Sequence, residues 1–185
     1  MLNMVYSDVR GLIKVESHGG RKYFLTFIDD ASRKLWVYFL KTKDEVFQHF
    51  QEFHAMVERE TEKKLKCLRT DNRDKYTSNT FEAYCASRGI RHKTIVPGTP
   101  QHNGVAERMN RTIVERVRCM LRMAKSPKSF WAEAARIACY LINRSPSIPL
   151  NFAIPGEVWS TRKVSYSHLR VFRCKVFAHI SKENR

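Results

Sequence analysis

Asp71 and Glu107 stand with 35 residues between them, and a third acid, Asp8, lies near the start of the chain. Three carboxylates that converge on folding can chelate two hard divalent cations, and such a pair can cut or join phosphodiester bonds. The spacing by itself is a weak signal, because the chain carries 18 Asp and Glu. The weight therefore falls on what surrounds each acid.

The surroundings are strongly basic. Lys and Arg number 34 against those 18 acids, a net charge of +16. Such a surplus calls for a polyanionic partner, nucleic acid first. No segment reads as a basic amphipathic anchor and no apolar run approaches the length of a membrane span, so no membrane partner is expected. Five scattered cysteines lack the paired spacing of a zinc site and read as small buried hydrophobes in a reducing compartment. The expected location is intracellular, with the nucleus as the place of function. A length of 185 residues predicts one domain with a short appendage, divided here as 1–150 and 151–185.

The elements that must position the acids follow from periodicity. Residues 2–8 read as a short strand ending at Asp8. Tyr23 to Ile28 and Leu35 to Leu40 are aromatic and β-branched, joined by a turn at Asp29-Asp30-Ala31-Ser32, and predict an antiparallel hairpin. Val46, Phe47, Phe50, Phe53 and Val57 recur at helical spacing, with Thr42 or Asp44 as the cap. Leu65 to Thr70 is a strand that closes at Asp71. Thr77 to Arg88 is helical and stops at Gly89, and Ile90 to Val96 is a last strand. Long helices follow, at about 103–123 and 129–143, the second capped by Ser126 or Ser129. Beyond Asn151 the pattern is mixed, with a possible strand from Leu169 to Ile180. This order predicts an α/β fold with a mixed five-stranded sheet flanked by helices. If Asp8 and Asp71 both close strands, neighbouring strands would put them in one site.

The long helix has two sides. On a helical wheel with Glu107 at zero, Val105, Met109, Ile113, Val117 and Met120 gather at about 160–280° and predict the core face. Arg111, Arg118 and Arg122 fall within about 60° of Glu107, and Asn110 lies at the edge of that side. The row reads either as a solvated face with a Glu107–Arg111 pair or as a grip on phosphates beside a metal-bound carboxylate. Asp29-Asp30 is read as turn chemistry, and Trp36, Trp131 and Trp159 as core.

The segment Gln101-His102-Asn103-Gly104-Val105-Ala106-Glu107-Arg108-Met109-Asn110-Arg111-Thr112 resembles the last catalytic acid of copia-type retrotransposon integrases. Val96 to Pro100, Thr26 to Arg33, Arg69-Thr70-Asp71-Asn72, Phe130 to Ala134, Tyr140 to Arg144 and Leu169 to Phe172 extend the likeness over nearly the whole chain. The resemblance implies a ribonuclease-H-like fold and Asp8, Asp71 and Glu107 as catalytic acids holding two Mg²⁺ or Mn²⁺ ions. It implies trimming of a DNA end and attack of the new 3′-hydroxyl on target DNA. Element ends and target DNA would be the partners, and a homo-oligomer the working form. Asn72 and Asn110 become hydrogen-bonding neighbours of the site. Gln101, Asn103, Arg108, Asn110, Arg111, Arg118 and Arg122 become nucleic-acid contacts.

The chain also departs from that family. Where its members carry Gly-Gly-Glu after the Asp-Asn pair, this chain has Arg73-Asp74-Lys75, and Arg10 follows the first acid closely. Extra positive charge there opposes cation binding. A second reading is therefore a catalytically decayed nucleic-acid-binding fragment of a retrotransposon polyprotein.

Overall fold

The computed structural model describes residues 1–11, 15–71, 76, 78–94 and 104–172. Strands β1 (Val5–Gly11), β2 (Tyr23–Asp29) and β3 (Leu35–Leu40) form an antiparallel meander. Asp29 makes the β2–β3 turn. Its carboxylate accepts hydrogen bonds from the Ser32 backbone and hydroxyl at 2.8 and 2.7 Å, and from the Leu2 N–H at 2.8 Å. The turn reading holds, and Asp29 also ties down the chain that leads into β1.

Helix α1 (Val46–Thr61) follows a single 3-10 turn at Lys43–Glu45, where Glu45 accepts from the Thr42 N–H at 3.3 Å. Strand β4 (Cys67–Thr70) then pairs parallel to β1. Helix α2 (Asn79–Ser87) starts at Ser78, whose side chain accepts from the Phe81 N–H, and ends before Gly89 at φ +67°, a conformation suited to glycine. Strand β5 (Arg91–Thr94) pairs parallel to β4. The sheet order is β3-β2-β1-β4-β5, mixed and five-stranded as predicted.

Helices α3 (Gly104–Met123), α4 (Trp131–Ile142) and α5 (Pro155–Ser160) complete the chain. No serine side chain caps α4, which is entered through a 3-10 turn at Lys128–Phe130. Val158 and Trp159 lie in α5, and Leu169 to Phe172 form no strand, while Ile180 lies outside the described residues. Gly156 is needed where it stands: its N–H meets the Asn143 carbonyl at 2.8 Å, and a Cβ there would collide with the same oxygen.

Each sheet face has its own core. On the α1/α2 face, Phe27, Phe50, Phe53 and Phe81 are fully buried, with Phe27 and Phe53 stacked at 4.2 Å. Trp159 of α5 packs edge-on against Trp36 at 4.7 Å on that side. On the other face α3 and α4 cover Tyr6, Phe24, Ile28 and Leu35.

Candidate active site

Strand β1 does not end at Asp8 as expected. It continues to Gly11, because the antiparallel ladder to β2 runs its whole length and sets Asp8 opposite Thr26. Asp71, by contrast, directly follows the last residue of β4. The β1–β4 register pairs Val5 with Leu68 and Tyr6 with Arg69. Carried onward, it sets Ser7 beside Thr70 and Asp8 beside Asp71, one inter-strand spacing of about 4.8 Å apart. Strand alternation gives Asp8 the face of Tyr6, which belongs to the α3/α4 core.

Asp8 is only 8% exposed, and α3 reaches it directly. Asn110 donates from Nδ2 to Asp8 Oδ2 at 2.8 Å, and its Oδ1 accepts the Thr26 hydroxyl at 3.0 Å. A carboxylate can only accept, so the amide nitrogen must be the atom that faces it. Asn110 therefore pins α3 to β1 and β2 at once and holds one oxygen of the first acid.

That pin corrects the predicted orientation of the helix. The buried residues of α3 are Ala106, Asn110, Ile113, Val114, Val117 and Leu121, while Val105, Met109 and Met120 are half-buried. The packed face is thus rotated by about 70° from the expected one. Its cause is double packing, against the sheet on one flank and α4 on the other. Asn110, expected at a DNA-contacting edge, is 0% exposed and engaged inside the fold. Burial removes it from the set of surface contacts.

Glu107 occupies the first turn of α3, three residues before Asn110, and is exposed. Residues at that separation lie on adjacent rows of a helix, so the third acid flanks the pin that grips the first. Among the described residues, no three His, Cys, Asp or Glu side chains stand close enough together to hold a metal ion. The structure thus puts Asp8 in β1 and Asp71 directly after the neighbouring β4, without closing a three-acid chelate around Glu107 among the described residues. Arg108, Arg111, Arg118 and Arg122 are all exposed. Among the described residues, no ion pair joins Glu107 to Arg111. Gln101, Asn103, Asn72 and the Arg73-Asp74-Lys75 substitution lie outside the described residues.

Around this site Arg69 lies over the Tyr6 ring at 5.8 Å. Burial, followed by the nearby Asp30 charge, raises the Tyr6 phenol above its ordinary value. Sequence reasoning missed two partners, Thr26 and Tyr76. Thr26 sits in an aromatic strand where its hydroxyl draws no notice, and only the ladder reveals it opposite Asp8. Tyr76 shares a hydrogen bond with the Ser7 hydroxyl at 2.8 Å, a pairing with no local signature.

A family model described as the integrase core domain matches residues 3–100. The chain belongs to the integrase core domain family. Over all 185 residues it is 71% identical to part of the retrovirus-related Pol polyprotein from transposon TNT 1-94 of Nicotiana tabacum, covering 14% of that polyprotein. It is 33% identical over 186 positions to the corresponding polyprotein from transposon RE2 of Arabidopsis thaliana, covering 12%. The integrase core thus spans a small part of the length of these curated relatives. Among solved structures it resembles a simian T-cell lymphotropic virus intasome in complex with PP2A regulatory subunit B56 gamma. The TM-score is 0.68 at 18% identity, over 97% of this chain and 60% of that one. It also resembles the HTLV-2 integrase catalytic core domain in complex with magnesium, in a trimeric form. There the TM-score is 0.63 at 18% identity, over 84% and 95% of the two chains. These likenesses establish the ribonuclease-H-like fold.

Proposed function

We propose that this integrase core trims DNA ends and joins them to target DNA, with Mg²⁺ or Mn²⁺ held by Asp8, Asp71 and Glu107. The observation that supports the reading is the parallel β1–β4 pairing, Val5 with Leu68 and Tyr6 with Arg69, two residues before Asp8 and Asp71, together with the Asn110 hydrogen bond to Asp8 Oδ2. The donor set fits hard cations: the three residues offer carboxylate oxygens only, with no thiolate or imidazole to favour zinc. When bound, a cation pair activates an attacking oxygen and stabilises the leaving one.

The protein's own part is positioning. Asn110 fixes the direction of the Asp8 carboxylate by donating to its Oδ2. Glu107, exposed on the first turn of α3, would supply the third carboxylate. Arg108, Arg111, Arg118 and Arg122 line the outer side of the same helix and meet DNA phosphates, where bidentate guanidinium contacts fix the register of the strand. The net charge of +16 draws DNA in and makes its binding salt-sensitive. The DNA partners are element ends and target, the working form is a homo-oligomer, and the work is done in the nucleus.

A strand-transfer assay with Mn²⁺ and labelled duplex ends tests this. The intact chain is expected to give metal-dependent product, and Glu107→Gln to lower it by about 100-fold or more. Absence of metal-dependent product from the intact chain overturns the reading. The rival, a decayed DNA-binding fragment, is motivated by Arg73-Asp74-Lys75 and by the unclosed acid triple. It expects salt-sensitive DNA binding that Glu107→Gln leaves unchanged, with no cleavage.

A further inference from the structure

The residues just before the two aspartates form a layer of their own. Ser7 and Thr70 are each 0% exposed, and each directly follows a member of the last β1–β4 pair, Tyr6 and Arg69. Strand alternation turns them to the sheet face opposite Asp8 and Asp71, toward α1 and α2. A hydroxyl buried there needs a partner. Ser7 finds Tyr76. Thr70 Oγ1 shares a hydrogen bond with His92 Nε2 of β5 at 2.8 Å, and its hydroxyl reaches the Asp71 carbonyl at 3.1 Å. His92 Nδ1 in turn faces Glu82 Oε1 of α2 at 2.6 Å. The imidazole is 2% exposed and packs against Phe81 and Tyr76, with ring centroids 5.3 and 6.4 Å away.

A carboxylate only accepts, so Glu82 takes the Nδ1 proton, and Thr70 Oγ1, whose single proton goes to the Asp71 carbonyl, accepts from Nε2. The chain Glu82–His92–Thr70 then ends on the main-chain carbonyl of Asp71, the residue that follows the last one of β4. Asp8 lies mid-strand and has Asn110 as its own restraint. We propose that Glu82 and His92 are positioning residues for Asp71: acting through Thr70, they fix the backbone from which its carboxylate projects. This rests on the reading of Asp8, Asp71 and Glu107 as cation ligands.

The test combines NMR of the isotope-labelled chain with Mn²⁺ titration followed by electron paramagnetic resonance. His92→Phe keeps the ring packing and removes both hydrogen bonds. Glu82→Ala removes one link at a half-exposed position, so it decides the matter should His92→Phe not fold. Glu82→Gln keeps an acceptor oxygen and serves as the rescue. In His92→Phe and Glu82→Ala the Asp71 carbonyl resonance is expected to shift and its amide order parameter to fall. Mn²⁺ affinity should drop about tenfold or more in both, with Glu82→Gln close to the parent chain. Unchanged Asp71 resonances overturn the proposal. Shifted resonances with unchanged Mn²⁺ affinity also overturn it, reducing the pair to a tie between α2 and the sheet. If the parent chain binds no Mn²⁺, or Asp71→Asn binds it equally well, the ligand reading falls instead. The Asp71 resonances alone then decide whether the brace holds that residue.

Discussion

The two faces of the sheet are held by different physics. Under α1 and α2 the contacts are aromatic: Phe27, Phe50, Phe53 and Phe81 stack or tilt on one another, with Trp36 and Trp159 at one border. Under α3 and α4 five buried alanines, Ala106, Ala132, Ala134, Ala135 and Ala138, lie among larger side chains such as Trp131, Phe24 and Ile28. Two buried asparagines do the aligning there. Asn110 ties α3 to Asp8 and Thr26, and Asn143, at the end of α4, exchanges hydrogen bonds with the Leu35 N–H and carbonyl at 2.9 and 2.7 Å. Hydrophobic packing is strong but non-directional, whereas a buried hydrogen bond specifies an angle and a register. The face bearing Asp8 is thus aligned by two buried amides, whereas the opposite face adds the Ser7–Tyr76 and Glu82–His92–Thr70 hydrogen bonds to its aromatic packing.

That contrast can be broken. Phe53→Ala removes a stacked ring from the aromatic face and should cost about 3–5 kcal/mol, read by urea unfolding. A loss below about 1.5 kcal/mol would mean that this face is not the main source of stability. Asn110→Ala removes one hydrogen bond from the Asp8 carboxylate and one from the Thr26 hydroxyl, and should cost about 1–3 kcal/mol. Asn143→Ala should cost a similar amount by leaving both backbone groups of Leu35 unpartnered. The two should part company in Mn²⁺ titration, where Asn110→Ala loses affinity and Asn143→Ala keeps it. Equal Mn²⁺ affinity in both variants would erase the distinction between the pins.

Thiol chemistry sharpens the comparison, since Cys85 and Cys139 are buried in the cores of opposite faces. Burial pushes the Cys85 and Cys139 thiols up to about 12. Exposed Cys119 should therefore react with a thiol reagent near neutral pH while those two stay protected until the chain unfolds. The folded values lie above that of an unfolded thiol, about 8.5, so the native state keeps protons that the unfolded chain releases. Their contribution is complete below that value and is lost as pH rises toward 12, and unfolding midpoints measured across this window should fall. The smallest effect belongs to the surface. Lys64→Ala breaks a 2.7 Å ion pair to Glu58 from a side chain 85% exposed, and should change stability by less than about 1 kcal/mol.

Much of this was legible in the sequence because it was periodic. The β2–β3 hairpin, α1, α2 with its Gly89 stop, and the β4 strand leading into Asp71 all follow from alternation or helical spacing near a turn signal. The end of β1 was not, since its length is set by pairing with β2 rather than by its own residues. The face of α3 was misjudged because Asn110 counts as polar on a wheel, and only its distant partners explain its burial. Asp8, Asn110 and Thr26 meet across sequence separations of 102 and 84 residues, which no local pattern encodes. The Glu82–His92–Thr70 chain was hidden for the same reason. Glu82 reads as an ordinary helix residue, and His92 as one polar side chain in a short strand.

The central claim is that the aligned Asp8 and Asp71 carboxylates, with Glu107 drawn in, bind divalent cations. Diffraction at the manganese absorption edge from crystals grown with Mn²⁺ measures this directly. The expected result is an anomalous peak bonded to carboxylate oxygens of both aspartates, with Glu107 turned toward it. An empty space between Asp8 and Asp71 in crystals saturated with Mn²⁺ would contradict the account.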